Sequence, residues 1–222
     1  IGIIEQLRIS NNKFFVMDRE LQAILVFNDQ GNFLFKISAQ GKGPGEYNFL
    51  RDFYIDETSQ EIVILGSPNK ILRYSMNGDF ITESSLLFNP LKVVALPDGN
   101  FFFWNGVNNR DIAPLVRTDR NFNMLESYFV DREEHLTTSN MFTENSGGIY
   151  LRPFFDNHEN IVYQLTTAGV IAKFQMDFGS NNWPYALEIN HNSPLRDDRY
   201  IYGIRDFFEG NQWISFKFSS KR

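Results

Sequence analysis

The chain has 222 residues, of which 42% are hydrophobic and 22% charged, with a formal net charge of −6. That composition belongs to one large folded domain or two small ones. The acidic balance argues against a nucleic-acid-binding face, and the absence of cysteine excludes disulfide frameworks, thiolate nucleophiles and cysteine-ligated zinc. No run approaches the roughly 18 apolar residues of a membrane span. The first residues, Ile1-Gly2-Ile3-Ile4, are strand-like and lack an initiator methionine, so the chain reads as processed or trimmed, and a lipid anchor on a missing N-terminus stays open.

Phenylalanine is abundant, with 23 copies against 3 tryptophans, and aromatic residues favour pleated, half-buried surfaces. In chain order, strands are predicted at 1–9, 14–17, 23–27 and 32–37, with turns at Asn11-Asn12 and Asp29-Gln30-Gly31. After the glycine-rich stretch Gly41–Gly45 come strands at 51–55, 61–65, 70–74 and 79–84, the last following the turn Asn77-Gly78. This sets Gly31 and Gly78 in register. A third group is predicted at 92–96, 101–104, 114–118 and 122–130, aligning Phe122 with Phe80. The fourth is less regular: a poor inner strand near Phe142, then 149–154, 160–165 and 170–178. Two further strands, 200–208 and 212–218, begin a fifth.

Four strands recurring every roughly 40–50 residues are the signature of a β-propeller. A four-stranded blade has two apolar faces and buries them only by stacking on its neighbours, which accounts for runs apolar on both alternations such as Ile62-Val63-Ile64-Leu65. The expectation is one all-β domain over 1–222, with units of about 1–40, 41–90, 91–130, 131–180 and a partial 200–222. A β-sandwich is the competing fold. It explains the short strands but not the four-strand recurrence.

The stretch 41–80 carries a family resemblance. Gly41-x-Gly43-x-Gly45-Glu46-Tyr47, then Pro68-Asn69-Lys70-Ile71 and Tyr74-x-x-x-Gly78, resemble the unit of NHL-repeat propellers. The phrase Gly-Lys-Gly-Pro-Gly-Glu-Tyr is closer still to the six-bladed propeller proteins abundant in Bacteroidetes. The opening Ile1-Gly2, Phe14–Asp18 and the run Ile204-Arg205-Asp206-Phe207-Phe208 fit that family's order of blades. The resemblance implies a six-bladed propeller of which this chain holds about four and a half blades. It also implies export to the periplasm or cell surface, often as a lipoprotein.

The glycine turn is not a phosphate loop, because Gly41-Lys42 is followed by Gly43-Pro44 rather than Ser or Thr, and a strand rather than a helix comes next. It reads as a blade crossing, with Glu46 placed to accept N–H bonds from the loop. Lys42 and Tyr47 are ligand candidates within it. Arg51 and Lys92 align on successive inner strands, with Arg205 in the fifth unit, and would line a basic funnel suited to carboxylates or anionic glycans; paired or solvated charges, with Arg51 bonded to Asp52 or Glu46, are the plainer reading. Trp104, Trp183 and Tyr185 stand at a strand end or in polar insertions, where a ring face can stack on sugars or peptide side chains. His135, His158 and His191 lie far apart, without metal-ligand spacing. Asp18, Asp52, Asp56 and Asp206 are carboxylates that several blades could bring to a channel metal, although Asp18 and Asp56 read better as turn residues. No cofactor is expected, and a channel Ca2+ or similar metal stays open. The expected function is non-catalytic binding of a glycan, peptide or protein in the bacterial envelope, with no catalytic residue assigned. The alternatives are a lactonase-like hydrolase or lyase with a channel metal, and a structural interaction module.

Overall fold

The computed structural model describes residues 2–105, 112–130, 142–152, 160–182 and 201–219. It is all-β, and its architecture is the β-propeller. Four four-stranded antiparallel sheets follow one another along the chain, each a meander in which successive strands pair. The first blade comprises β1 (Ile4–Ser10), β2 (Lys13–Asp18), β3 (Ala23–Asn28) and β4 (Phe33–Ile37). The second comprises β5 (Phe49–Asp56), β6 (Glu61–Ser67), β7 (Lys70–Ser75) and β8 (Phe80–Ser85). β9 (Lys92–Ala95), β10 (Phe101–Trp104), β11 (Leu115–Thr118) and β12 (Met124–Tyr128) make the third, and β13 (Phe142–Asn145), β14 (Gly148–Leu151), β15 (Ile161–Thr166) and β16 (Gly169–Gln175) the fourth. β17 (Tyr202–Glu209) and β18 (Ile214–Ser219) form a two-stranded sheet.

The chain divides into two compact units. One holds Ile1–Ala95, Gly99–Asn105 and Val116–Glu126, the other Leu96–Asp98, Gly106–Leu115 and Ser127–Arg222. In the first unit, β5 lies between β1 and β9. The face of the first sheet carrying Phe15, Met17, Ile24, Val26 and Ile37 packs against Tyr47, Leu50, Phe53, Ile62, Ile64 and Leu72 of the second blade in one buried cluster. The central strand β6 is buried along both faces from Ile62 to Ser67, as its unbroken apolar run requires. The opposite face of the first sheet leaves Leu7 and Ile9 in solvent, at 53% and 65% exposure. In the second unit, Tyr150, Val162 and Phe207 form a smaller buried cluster backed by Phe174, Met176 and Phe216, and β13 runs beside β17.

The hairpins before the outermost strands of the first three blades share one design. Asn28 accepts the N–H groups of Gln30 and Asn32 on its side chain, and Gly31 donates to its carbonyl. Ser75 does the same for Asn77, Asp79 and Gly78, and Asp119 for Asn121, Asn123 and Phe122. The position two before each of these three outer strands has positive φ: 81° at Gly31, 91° at Gly78 and 66° at Phe122. The expected alignment of Phe122 with Phe80 is therefore corrected. Phe122 occupies the glycine position, and Met124 heads the strand as Phe33 and Phe80 do. A phenylalanine is tolerated in this left-handed backbone because its ring is fixed by packing. It lies 5.4 Å from Phe101 and 6.2 Å from Phe103, with the Arg73 guanidinium 5.5 Å away.

Outer strands are also interrupted. Leu34 in β4 and Ile81 in β8 are extra residues in their ladders, and such bulges blunt an exposed edge against pairing with other chains.

Candidate functional site

Neighbouring inner strands of a propeller splay apart and share no hydrogen-bond ladder, so side chains must tie them. In the first unit that task falls to Asp52. It is 2% exposed, and its carboxylate accepts the N–H of Phe53 at 3.0 Å and that of Val93, on β9, at 2.9 Å. Gln6, on β1, donates its amide to Asp52 Oδ1 at 2.7 Å and accepts from Arg8 Nε and Nη2 at 3.1 Å, in the amide orientation that satisfies both ends. Arg8 also donates to the carbonyl of Phe53 at 3.0 Å. Three strands thus meet on one buried carboxylate. Burial pushes the Asp52 carboxyl above its ordinary value, opposed by the charges of Lys92 and Arg8.

Around this hub lies a half-exposed group of charges. The ladder of β1 skips Glu5 and that of β5 skips Arg51, so each is a bulge residue one place before the hub position, Gln6 or Asp52. A bulge re-aims its side chain out of the pleat. Arg51 Nη1 donates to the carbonyls of Asn89 at 3.2 Å and Pro90 at 2.8 Å, and Nη2 to Ser67 Oγ at 3.3 Å. These contacts leave Nε and the second Nη2 hydrogen without a partner among the described residues. Burial lowers the Arg51 guanidinium from its usual range. Lys92 Nζ lies 3.5 Å from Glu5 Oε1 and 4.0 Å from Asp52 Oδ1, and donates to the Arg51 carbonyl at 3.4 Å. Phe49 leaves β5 on the same side as Arg51, opposite Leu50, and is 60% exposed.

The glycine turn is satisfied from within. Gly43 N–H donates to Glu46 Oε2 at 2.8 Å, the role expected of Glu46, and Gly45 N–H donates to Glu83 Oε2 at 2.6 Å. Gly41 N–H donates to the Tyr47 carbonyl, and Tyr47 N–H to the Ala39 carbonyl. Lys70 links the carbonyl of Gly43 to Glu83, at 3.0 and 3.3 Å. The N–H of Gly45, then Lys70, holds the Glu83 carboxyl below its usual value. Two internal carboxylates thus sit where a phosphate loop would hold its anion.

The remaining candidates fall as follows. Lys42 is exposed on the loop. Tyr47 is 1% exposed and donates its hydroxyl to the Gln22 carbonyl at 2.7 Å, so its ring offers no face to a ligand. Trp104, at 1% exposure, is likewise interior, and its indole N–H has no partner among the described residues. Trp183, Tyr185 and the three histidines lie outside the described residues, as do the side chains of Arg205 and Asp206. Asp18 accepts the N–H groups of Gly2, Glu20 and Leu21, and Asp56 those of Thr58 and Ser59; both are turn residues. No three His, Asp or Glu side chains converge on a metal-sized space among the described residues.

Glu5, Gln6 and Arg8 went unnoticed in the sequence. One signal was there: the core positions Leu50 and Phe53 are three apart rather than two, a phase break that marks the bulge at Arg51.

Comparison with known proteins adds the family and the fold. The model of a family described as a domain of unknown function, DUF4934, matches residues 1–222. No curated protein matches. Among solved structures, a protein of Bacteroides fragilis predicted to be exported aligns with all of this chain and 69% of its own at 20% identity, with a TM-score of 0.75. A Bacteroides caccae protein of unknown function aligns over 90% of this chain and 64% of its own, at 11% identity and a TM-score of 0.50. A streptogramin B lyase aligns over 80% of this chain and 55% of its own, at 15% identity and a TM-score of 0.50. At these identities the likeness is one of fold.

Proposed function

The chain belongs to the DUF4934 family, and from that premise we propose that it is part of a non-catalytic binding propeller of the bacterial envelope. Its inner-strand mouth holds a carboxylate-bearing ligand, either a glycan or a peptide. The observation that carries this reading is the group at the start of β1, β5 and β9. There Arg51 keeps two N–H groups without a partner among the described residues, and Lys92 rests on the Arg51 carbonyl, so that two cations stand together on a partly exposed surface of a net acidic protein. The six-bladed, NHL-related form is also a proposal. It is supported by the glycine motif, by the exposed face of the first sheet where a further blade would stack, and by the 69% of the B. fragilis chain that this one spans. Six blades need about two dozen strands. Envelope localisation, with or without a lipid anchor, is supported by the resemblance and by that exported relative. No helix among the described residues is long and apolar enough to cross a membrane. No described residue favours the hydrolase or lyase reading over binding.

The test is a glycan and peptide binding screen, repeated with Arg51→Ala and Lys92→Ala. Capture of acidic ligands that weakens about tenfold or more in both variants supports the reading. Capture that neither variant alters overturns it.

A further inference from the structure

The Glu5–Lys92 pair joins residues 87 positions apart and passes over the bulge of β5. It is an uncommon arrangement, because β1 and β9 are not neighbours; each flanks β5. Nothing in the packing demands it. The three strands are already tied by the buried Asp52, through Val93 N–H and the Gln6 amide. The pair is largely covered, with side-chain exposures of 17% for Lys92 and 28% for Glu5, but its 3.5 Å separation is long for a charge-assisted bond, so it adds little stability. What it does achieve is to set a carboxylate against the Lys92 ammonium at the mouth. Lys92 also rests on the Arg51 carbonyl, so a ligand reaching this ammonium lies close to the start of the Arg51 side chain.

We propose that Glu5 occupies, from within, the place a ligand carboxylate takes on Lys92, and so determines which anions the mouth admits. An acidic saccharide that engages Arg51 and Lys92 together displaces it. A simple monovalent anion, which can replace only one contact, does not. The saccharide is favoured over an acidic peptide by Phe49. Its exposed ring, on the Arg51 side of β5, presents a flat apolar face to the C–H groups of a sugar next to the carboxylate. The inference rests on the reading of the mouth as a carboxylate site and adds to it a specificity-determining residue and a ligand class.

The experiment is titration calorimetry at low ionic strength, using hexagalacturonate, an uncharged hexasaccharide, hexaglutamate and acetate as probes. Wild type, Glu5→Gln, Glu5→Asp and Arg51→Ala are compared, after circular dichroism has shown each to be folded. Hexagalacturonate is expected to bind wild type, to bind Glu5→Gln about three- to ten-fold more tightly, and to bind Arg51→Ala at least about tenfold more weakly. Acetate binds Glu5→Gln but not wild type. Glu5→Asp keeps the charge on a shorter arm and falls between the two, which serves if Glu5→Gln folds poorly. As a second readout, hexagalacturonate protects Lys92 from acetylation, at lower concentration in Glu5→Gln than in wild type. Unchanged or weaker binding by Glu5→Gln, with Arg51→Ala still impaired, overturns the role of Glu5 and leaves the mouth site standing. No binding of any carboxylate probe to wild type or Glu5→Gln overturns both. Hexaglutamate bound as tightly as hexagalacturonate overturns the saccharide assignment.

Discussion

Removing the Asp52 carboxylate tests whether one buried group ties three blades. In Asp52→Ala, the N–H of Phe53, the N–H of Val93 and the amide of Gln6 lose an acceptor in a site that is 2% exposed. Each buried donor left unpaired costs about 1–3 kcal/mol. Relief of the carboxylate's own desolvation returns part of this, so a net loss of about 3 kcal/mol is expected. Asp52→Asn keeps the shape and one acceptor but turns an NH2 toward a donor, for a loss of about 1–2 kcal/mol. The assay is equilibrium unfolding in urea, run from pH 4 to pH 8. The sign of the pH dependence follows from burial. The folded carboxyl holds its proton to higher pH than the unfolded one, so the folded state carries more protons in that window and stability falls as pH rises through it. The advantage of wild type over Asp52→Asn should therefore shrink with rising pH, by at most about 1.4 kcal/mol per unit. A loss below about 1 kcal/mol for Asp52→Ala would show that solvent, not Asp52, bridges the strands. An advantage that grows with pH would show that Lys92 and Arg8 outweigh burial.

Three further outcomes follow from the same geometry. Glu83→Gln weakens the tie between the glycine turn and β8. With the carboxylate about one-third exposed, the loss is about 1 kcal/mol at pH 7. Because the folded carboxyl is held below its ordinary value, the difference narrows as pH falls below about 4.5 and the wild-type group protonates; a difference that stays level or widens as the pH falls would refute the assignment. Phe122→Gly and Phe122→Ala both lose the ring's packing, but only glycine relieves the positive φ, so thermal melts should place Gly above Ala by about 1 kcal/mol. The reverse order would restore Phe122 to a strand. Tyr47→Phe removes the bond to the Gln22 carbonyl and the acceptor for Ala39 N–H, at about 1–2 kcal/mol by urea unfolding, and leaves ligand capture unchanged.

Most of the fold was legible because the first three blades repeat the same local chemistry. Short apolar runs alternate with Asn, Asp, Ser and Gly turns, and Gly31 and Gly78 mark equivalent hairpins. Phe122 misled because an aromatic residue reads as strand, and its left-handed backbone is set by rings brought from Phe101 and Phe103. The mouth was half legible. Arg51 and Lys92 stood out by alignment, yet their partners come from strands distant in sequence. Glu5 reaches Lys92 only because a bulge turns it out of the pleat, and a bulge adds one residue to a pattern that otherwise looks continuous. Burial separated Tyr47 and Trp104 from the exposed Phe49, a distinction that aromatic content alone does not make.

The most direct test of the mouth as a binding site is a crystal structure of the chain with the tightest acidic ligand from the screen. The account predicts a ligand carboxylate within hydrogen-bond distance of Arg51 and Lys92, with Glu5 displaced from the ammonium. A ligand seated away from both residues, with the Glu5–Lys92 pair intact, would contradict it.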